Sequence, residues 1–156
     1  MLYAGLKTLH LLSVILWIGG MIFAHCFLRP AVATLEPPTR LRLMHDVLGR
    51  FFRAVLPASL FALGTGLWMV GNVAKATVQS GAAFSMPMHW SVMSALGILM
   101  VAIFLFIRFA LYPQLSRRVA SADWASAGAV LARIRQWVVV NLLIGLFIIA
   151  FTLLYS

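Results

Sequence analysis

Residues 6–28 read LKTLHLLSVILWIGGMIFAHCFL, an apolar run with no charged residue between Lys7 and Arg29. About 20 consecutive apolar residues are needed for a helix to cross a bilayer, so this stretch predicts a membrane span. The run carries one histidine near each end, His10 and His25. Ionisable side chains at membrane depth are costly and usually face a bundle interior, so both histidines are candidates for a functional role.

Composition extends this conclusion to the whole chain. Of its 156 residues, 63% are hydrophobic and only 10% are charged, which excludes an ordinary soluble domain. The net charge of +9 does not indicate a nucleic-acid partner, because the basic residues border the apolar runs, as they do in membrane proteins. With only three acidic residues, the chain also lacks the paired carboxylates that a hydrolase would need.

Four apolar runs predict the fold class: an all-α integral membrane protein, built as an antiparallel four-transmembrane-helix bundle that forms one domain over residues 1–156. The spans are expected at about 6–28, 54–73, 88–112 and 136–155.

Two local features accompany the second span. Apolar and basic residues fall on opposite sides of a helix over residues 39–53, which predicts an amphipathic helix leading into the span after Pro37 and Pro38. Within the span, Ala58, Ala62 and Gly66 form a ridge of small residues that lets another helix approach closely.

The basic residues are distributed unevenly between the two sides of the membrane. Ten of the twelve lie in or beside the loops that join the first span to the second and the third to the fourth. By the positive-inside rule these loops are cytoplasmic, so both termini are expected in the periplasm. The sequence therefore predicts a multi-pass protein of a bacterial inner membrane.

The chain resembles itself at an offset of 79 residues, which suggests two duplicated helical hairpins. The coincidences that involve rarer residues are His10 with His89, Arg29 with Arg108, and Gly49 with Gly128. Two such hairpins would be related by an axis along the membrane normal.

Two parallel spans in such a bundle would carry His10 and His89 at the same depth. Two imidazoles from facing helices can be the axial ligands of a b-type haem, so the main hypothesis is a haem protein with a role in electron transfer. His25 and His45, both on the cytoplasmic side, form a weaker pair that would hold a second haem. The alternative for each pair is local hydrogen bonding at the membrane surface.

A competing site lies at the start of the third span, where Met86, Met88 and His89 follow one another closely. Thioether and imidazole groups suit Cu(I), and Met93 on the same helical face as His89 could extend the site. A copper site and a haem site would compete for His89. In the fourth span, Asn141 is expected to hydrogen-bond to a neighbouring helix.

The motifs of the first and third spans carry a family resemblance. The first span combines His10 with Trp17-Ile18-Gly19-Gly20 and ends at Leu28-Arg29-Pro30-Ala31, and the third opens at Met88-His89. Together these resemble the CopD family of bacterial inner-membrane proteins. The layout is also similar to the haem-binding protoporphyrinogen oxidase of the HemJ type, whose first span has a histidine that matches His10.

The resemblance implies a haem or copper cofactor and leaves open whether the protein is an enzyme. The HemJ type has a functionally important lysine just after the histidine of the third span, whereas this chain reads His89-Trp90-Ser91. Any enzyme activity would be that of a membrane oxidoreductase. Gly19 and Gly20 would let a flat macrocycle approach the backbone. Candidate partners are quinone, a periplasmic redox protein and a second copy of the chain.

Overall fold

Four long helices make up the computed structural model, which describes residues 1–81, 83 and 85–155. They are α1 (Leu2–Ala31), α2 (Pro37–Gln79), α3 (Met88–Ala120) and α4 (Trp124–Leu154), and each is long and apolar enough to cross a membrane. α1 packs mainly against α2 and α3 mainly against α4, as two hairpins. The predicted all-α four-helix membrane fold is therefore confirmed.

The helices are longer than the predicted spans because polar segments continue them without a break. α2 joins the amphipathic stretch and the second span in one helix of 43 residues, even though Pro57 lies within it. At 1.5 Å per residue this helix is about 65 Å long, roughly twice the hydrocarbon thickness of a bilayer. The basic segment expected between the third and fourth spans is also largely helical, with its turn at residues 121–123.

α1 and α3 each widen into a π-helical turn shortly before a proline. The π turns are Ala24–Leu28, before Pro30, and Ile107–Leu111, before Pro113. Proline has no N–H to donate, and its ring crowds the carbonyl four residues earlier, so a wider turn accommodates it in a continuing helix. His25 lies in the first of these turns, on a segment that the proline reshapes.

Asp123 fixes the turn between α3 and α4. Its Oδ1 accepts the backbone N–H of Ser126 at 3.2 Å, and Arg118 donates to its Oδ2 at 3.1 Å. The hydrogen bonds from Ser126, with the charge of Arg118, lower the pKa of the Asp123 carboxyl. A lowered pKa means that this cap stabilises the fold at neutral pH and is lost as the pH falls through that pKa.

The buried core lies towards one end of the bundle, the end where residues 32–36 join α1 to α2 and residues 121–123 join α3 to α4. This end is called the basic end, because ten of the twelve basic residues lie on that side. The centroid of the Phe52 ring is 5.9 Å from that of Phe104 and 5.5 Å from that of Tyr112, and Trp17 meets Phe104 at 5.8 Å. These rings tie α1, α2 and α3 together.

Packing is looser towards the other end, here called the open end. Among the described residues, none before Ser13 in α1, after Thr65 in α2, before Met100 in α3 or after Gly145 in α4 is buried. The two hairpins therefore hold each other at the basic end and present apolar faces to the surroundings at the open end.

Candidate functional site

His10 projects from α1 onto the small-residue ridge of α2. Its Nδ1 lies 2.9 Å from the carbonyl oxygen of Ala62 and 3.1 Å from the hydroxyl of Thr65. A Cβ added at Gly66 would stand 3.4 Å from Cε1 of the same ring. The predicted ridge thus receives the imidazole, and Gly66 leaves the space for it.

The carbonyl partner defines the tautomer of His10. A carbonyl oxygen can only accept a hydrogen bond, so Nδ1 carries the proton and donates it to Ala62. In the neutral ring, Nε2 then keeps its lone pair. Metal-ligating histidines are oriented by such a hydrogen bond from the second ring nitrogen, so His10 has the arrangement of a ligand.

His89 lies nearer the surface of the open end than His10 does. The contact between Trp17 and Phe104 relates the depths of α1 and α3. From that level, His10 is 7 residues and His89 is 15 residues towards the open end, which correspond to about 10 Å and about 22 Å along the helices. Gly145 gives a second reference level, because a Cβ added there would meet both Ile18 of α1 and Met100 of α3. From this level His89 again lies further towards the open end than His10, although the difference in depth is smaller.

The contacts therefore do not bring His10 and His89 to the equal depth that the repeat suggested, and the haem-ligand pair stays a prediction. The π turns of α1 and α3 begin 83 residues apart, whereas the two histidines are 79 residues apart. His89 is therefore further from the π turn of its helix than His10 is, and so nearer the open end. The ring of His89 instead meets Trp90 edge-on, with 5.9 Å between centroids.

Soft donor atoms are exposed around the start of α3. Met88 is 76% exposed and Met86 is 36% exposed, while His89 is half-buried. Pro87 precedes the first residue of the helix and separates the two methionines. One thioether therefore stands in the non-helical segment before the helix and the other in its first turn, on the residue that precedes His89.

His45 lies in a network at the basic end. Its Nε2 is 2.9 Å from the hydroxyl of Ser116, and its Nδ1 is 3.1 Å from a carboxylate oxygen of Asp46. The ring stacks on Tyr112 with 5.2 Å between centroids, and the Tyr112 hydroxyl donates to the His45 carbonyl oxygen at 3.2 Å. Both ring nitrogens of His45 thus have partners on the protein, as expected if this histidine hydrogen-bonds locally and does not bind a haem.

His25 lines a different cavity from His45. The cavity at His25 has a volume of about 320 Å³ and lies between α1, α2 and α4, whereas His45 borders one of about 340 Å³ beside Arg50, Arg53 and Arg108. The second predicted haem pair is thus divided between two cavities. In the part of the chain that the structure describes, no three His, Cys, Asp or Glu side chains converge on a metal position.

The two glycines expected to border a macrocycle differ in their surroundings. A Cβ at Gly20 would collide with the ring of Phe51, so that surface is already covered by α2. A Cβ at Gly19 would meet no atom of the described residues within 4 Å. Asn141 is 1% exposed, and its Oδ1 has no hydrogen-bond partner among the described residues, in contrast to the interhelical bond expected of it.

Several residues around the histidines were not expected from the sequence. Thr65 is a partner of His10, Ser116 and Tyr112 are partners of His45, and Arg135 shares a cavity with His25. The sequence signal for Thr65 is its place beside the small-residue ridge. The other three depend on which helices meet at the basic end, which no local pattern indicates.

The fold and these sites define a polytopic membrane protein with a four-helix bundle, soft donors at one end and a histidine held against a neighbouring helix. A family model described as copper resistance protein D matches residues 45–155, and the chain belongs to that family. No curated protein and no solved structure gave a match. The suspected CopD membership is confirmed, and a copper-resistance-related membrane protein is the function class that it supports.

Proposed function

We propose that this protein handles Cu(I) at the open end of the bundle, where Met86, Met88 and His89 bind the ion. The observation that carries the proposal is the exposure of both methionines beside His89 at the start of α3. The family match over residues 45–155 includes all three residues and does not include His10 or His25. Thioether and imidazole ligands favour Cu(I) over harder divalent ions.

The methionines continue inward from this point along one face of α3. Met93 and Met100 are 4 and 11 residues beyond His89, so all three lie within about 40° of one another around the helix. Exposure falls along this face, since Met93 is half-buried and Met100 is only 4% exposed. A soft ion bound at the surface would therefore find further thioethers in the direction of the core.

The double variant Met86→Leu/Met88→Leu is expected to weaken Cu(I) binding by at least about tenfold. Even the loss of a residue that only hydrogen-bonds to a metal ligand typically weakens metal binding by this factor. Binding is measured on the purified protein under reducing conditions, in competition with a coloured Cu(I) chelator. Met21→Leu, which removes a buried methionine of α1, is the matched control and should bind as the original chain does. Equal affinity in the original chain and the double variant would contradict the proposal.

The hydrogen bond of His10 favours a second candidate, a b-type haem. Among the described residues Nε2 of His10 has no hydrogen-bond partner, so it could bind a haem iron. A bound haem would supply one-electron chemistry, with quinone or a periplasmic redox protein as partner. His89 lies at another depth, and Phe51 covers Gly20. The geometry therefore fits a haem bound by His10 better than one bound by the predicted pair of His10 and His89. Soret and alpha bands in the same preparation, lost in His10→Ala and kept in Met86→Leu/Met88→Leu, would favour haem over copper.

We further propose that the basic end faces the cytoplasm of a bacterial inner membrane and that both termini face the periplasm. The support is the concentration of basic residues at the helix connections of that end. Reporter fusions after Ser156 should give periplasmic activity, and a fusion near Ala122 should give cytoplasmic activity. The reverse result would place the methionine site on the cytoplasmic side and contradict this orientation.

A further inference from the structure

The cavity at His25 combines a basic rim with an apolar wall. We propose that it binds the headgroup phosphate of an anionic phospholipid from the leaflet at the basic end. His25, Arg29, Arg40 and Arg135 contribute the basic groups, and no carboxylate is among the residues that line the cavity. The rest of the lining is apolar and comes from the end of α1, the connection that follows it, α2 and α4, with Leu41, Leu131 and Val138 among its residues.

The arginines of this rim are free to bind an anion. In the described part of the chain, the contacts between basic and carboxylate side chains are Arg118 with Asp123 and His45 with Asp46, neither of which involves the rim. Arg40 makes one hydrogen bond of 3.4 Å to the carbonyl oxygen of Ala33. Arg29 and Arg135 are exposed. Arginine N–H groups bind phosphate oxygens in a bidentate manner, which makes phosphate the complementary ligand.

The position of the cavity selects a lipid over a free anion. Three of the basic groups are near the end of α1 and the start of α2, and the fourth, Arg135, is on α4. Val138 lies about one turn beyond Arg135 along α4, towards the membrane. A phospholipid would place its phosphate at the rim and its glycerol and first acyl carbons along the apolar wall. A volume of about 320 Å³ suits a headgroup whose chains remain in the bilayer. Basic pockets between membrane helices bind anionic headgroups in this way.

The neighbouring cavity at His45 provides the contrast. It also holds three arginines, Arg50, Arg53 and Arg108, but Asp46 lines it as well. A carboxylate within the lining repels a phosphate and partly neutralises the arginines. The charge balance therefore favours the cavity at His25.

The test titrates the detergent-purified full chain with phosphatidylglycerol, with phosphatidylcholine of the same acyl chains and with inorganic phosphate. The measurements are the shift of the thermal unfolding midpoint, which rises when a ligand binds the native state, and lipid retention in native mass spectrometry. Phosphatidylglycerol is expected to give the larger shift. Arg29→Gln/Arg135→Gln should lower its affinity by about tenfold to thirtyfold, since each arginine near a lipid surface contributes to binding.

The matched control is Arg117→Gln/Arg133→Gln, which removes two exposed charges of the basic end that do not line the cavity. It should bind phosphatidylglycerol as the original chain does. Gly128→Leu tests the cavity without a charge change. A Cβ at Gly128 would meet no described atom within 4 Å, and a longer side chain would narrow the cavity. It should reduce lipid binding and leave the unfolding midpoint of the lipid-free protein nearly unchanged.

Three results would overturn the proposal. Equal losses in the two double variants would show general surface attraction in place of a site. If inorganic phosphate bound as tightly as phosphatidylglycerol, the rim would be a site for a free anion. Equal shifts with phosphatidylglycerol and phosphatidylcholine would show that binding does not require a net negative charge on the lipid headgroup.

Discussion

Phe52→Ala is expected to lower the free energy of unfolding by about 3–5 kcal/mol, the largest effect of any single substitution proposed for this protein. The Phe52 side chain is 1% exposed and contacts the rings of Phe104 and Tyr112 edge-on. Alanine would leave a cavity where α2 meets α3, and the surrounding rings would lose their packing partner. Because α1 reaches this cluster through Trp17, the loss should loosen three helices together.

Unfolding of Phe52→Ala is measured by titrating the protein in mixed micelles with a denaturing detergent and following its helical circular dichroism. Phe61→Ala is the matched control on the same helix, because Phe61 is 54% exposed and should change stability by no more than about 0.5 kcal/mol. Similar losses for the two variants would show that the aromatic cluster does not hold the helices together.

Gly49→Val is expected to destabilise the protein by about 1–3 kcal/mol through overpacking. A Cβ at Gly49 would collide with the hydroxyl of Tyr112. That ring cannot easily move, since it is stacked on His45, packed against Phe52 and hydrogen-bonded to the His45 carbonyl oxygen. The variant should therefore also separate His45 from Tyr112.

Gly128→Val is the control that the internal repeat provides, since Gly49 and Gly128 coincide at the offset of 79 residues. In the described part of the chain, a Cβ at Gly128 would meet nothing within 4 Å. Valine there should therefore leave stability unchanged or raise it slightly, because valine has a higher helix propensity than glycine. The same unfolding titration compares the two variants. Equal effects would mean that the close approach of Tyr112 does not distinguish the two glycines.

Much of the fold could be predicted from the sequence because a bilayer constrains the chain through composition alone. The apolar runs from Leu6 and from Met88 are long enough to cross, and only helices or closed barrels satisfy their backbone groups in lipid. The ridge of Ala58, Ala62 and Gly66 indicated a close helix contact, and the structure places the ring of His10 there. The resemblance to the CopD family was drawn from motifs of the first and third spans, and the match that confirms the family, over residues 45–155, includes Met88-His89 but not the first-span motif.

The boundaries of the helices were harder to predict because they depend on more than hydropathy. The amphipathic stretch and the second span merge into Pro37–Gln79, since neither Pro57 nor the charged residues interrupt the backbone hydrogen bonds enough to end the helix. The turn at Asp123 is set by a side-chain cap that a count of apolar residues does not detect.

The sequence by itself determined the membrane class, the number of spans and the soft donors Met86, Met88 and His89, because these follow from composition and from neighbours in the chain. Only the tertiary structure decided that His10 bonds to α2, that His45 and His25 border separate cavities, and that His89 lies at a different depth from His10. The physical reason is that helix register is set by contacts such as Trp17 with Phe104. A shift of one turn moves a side chain by about 5.4 Å without changing any local pattern of the sequence.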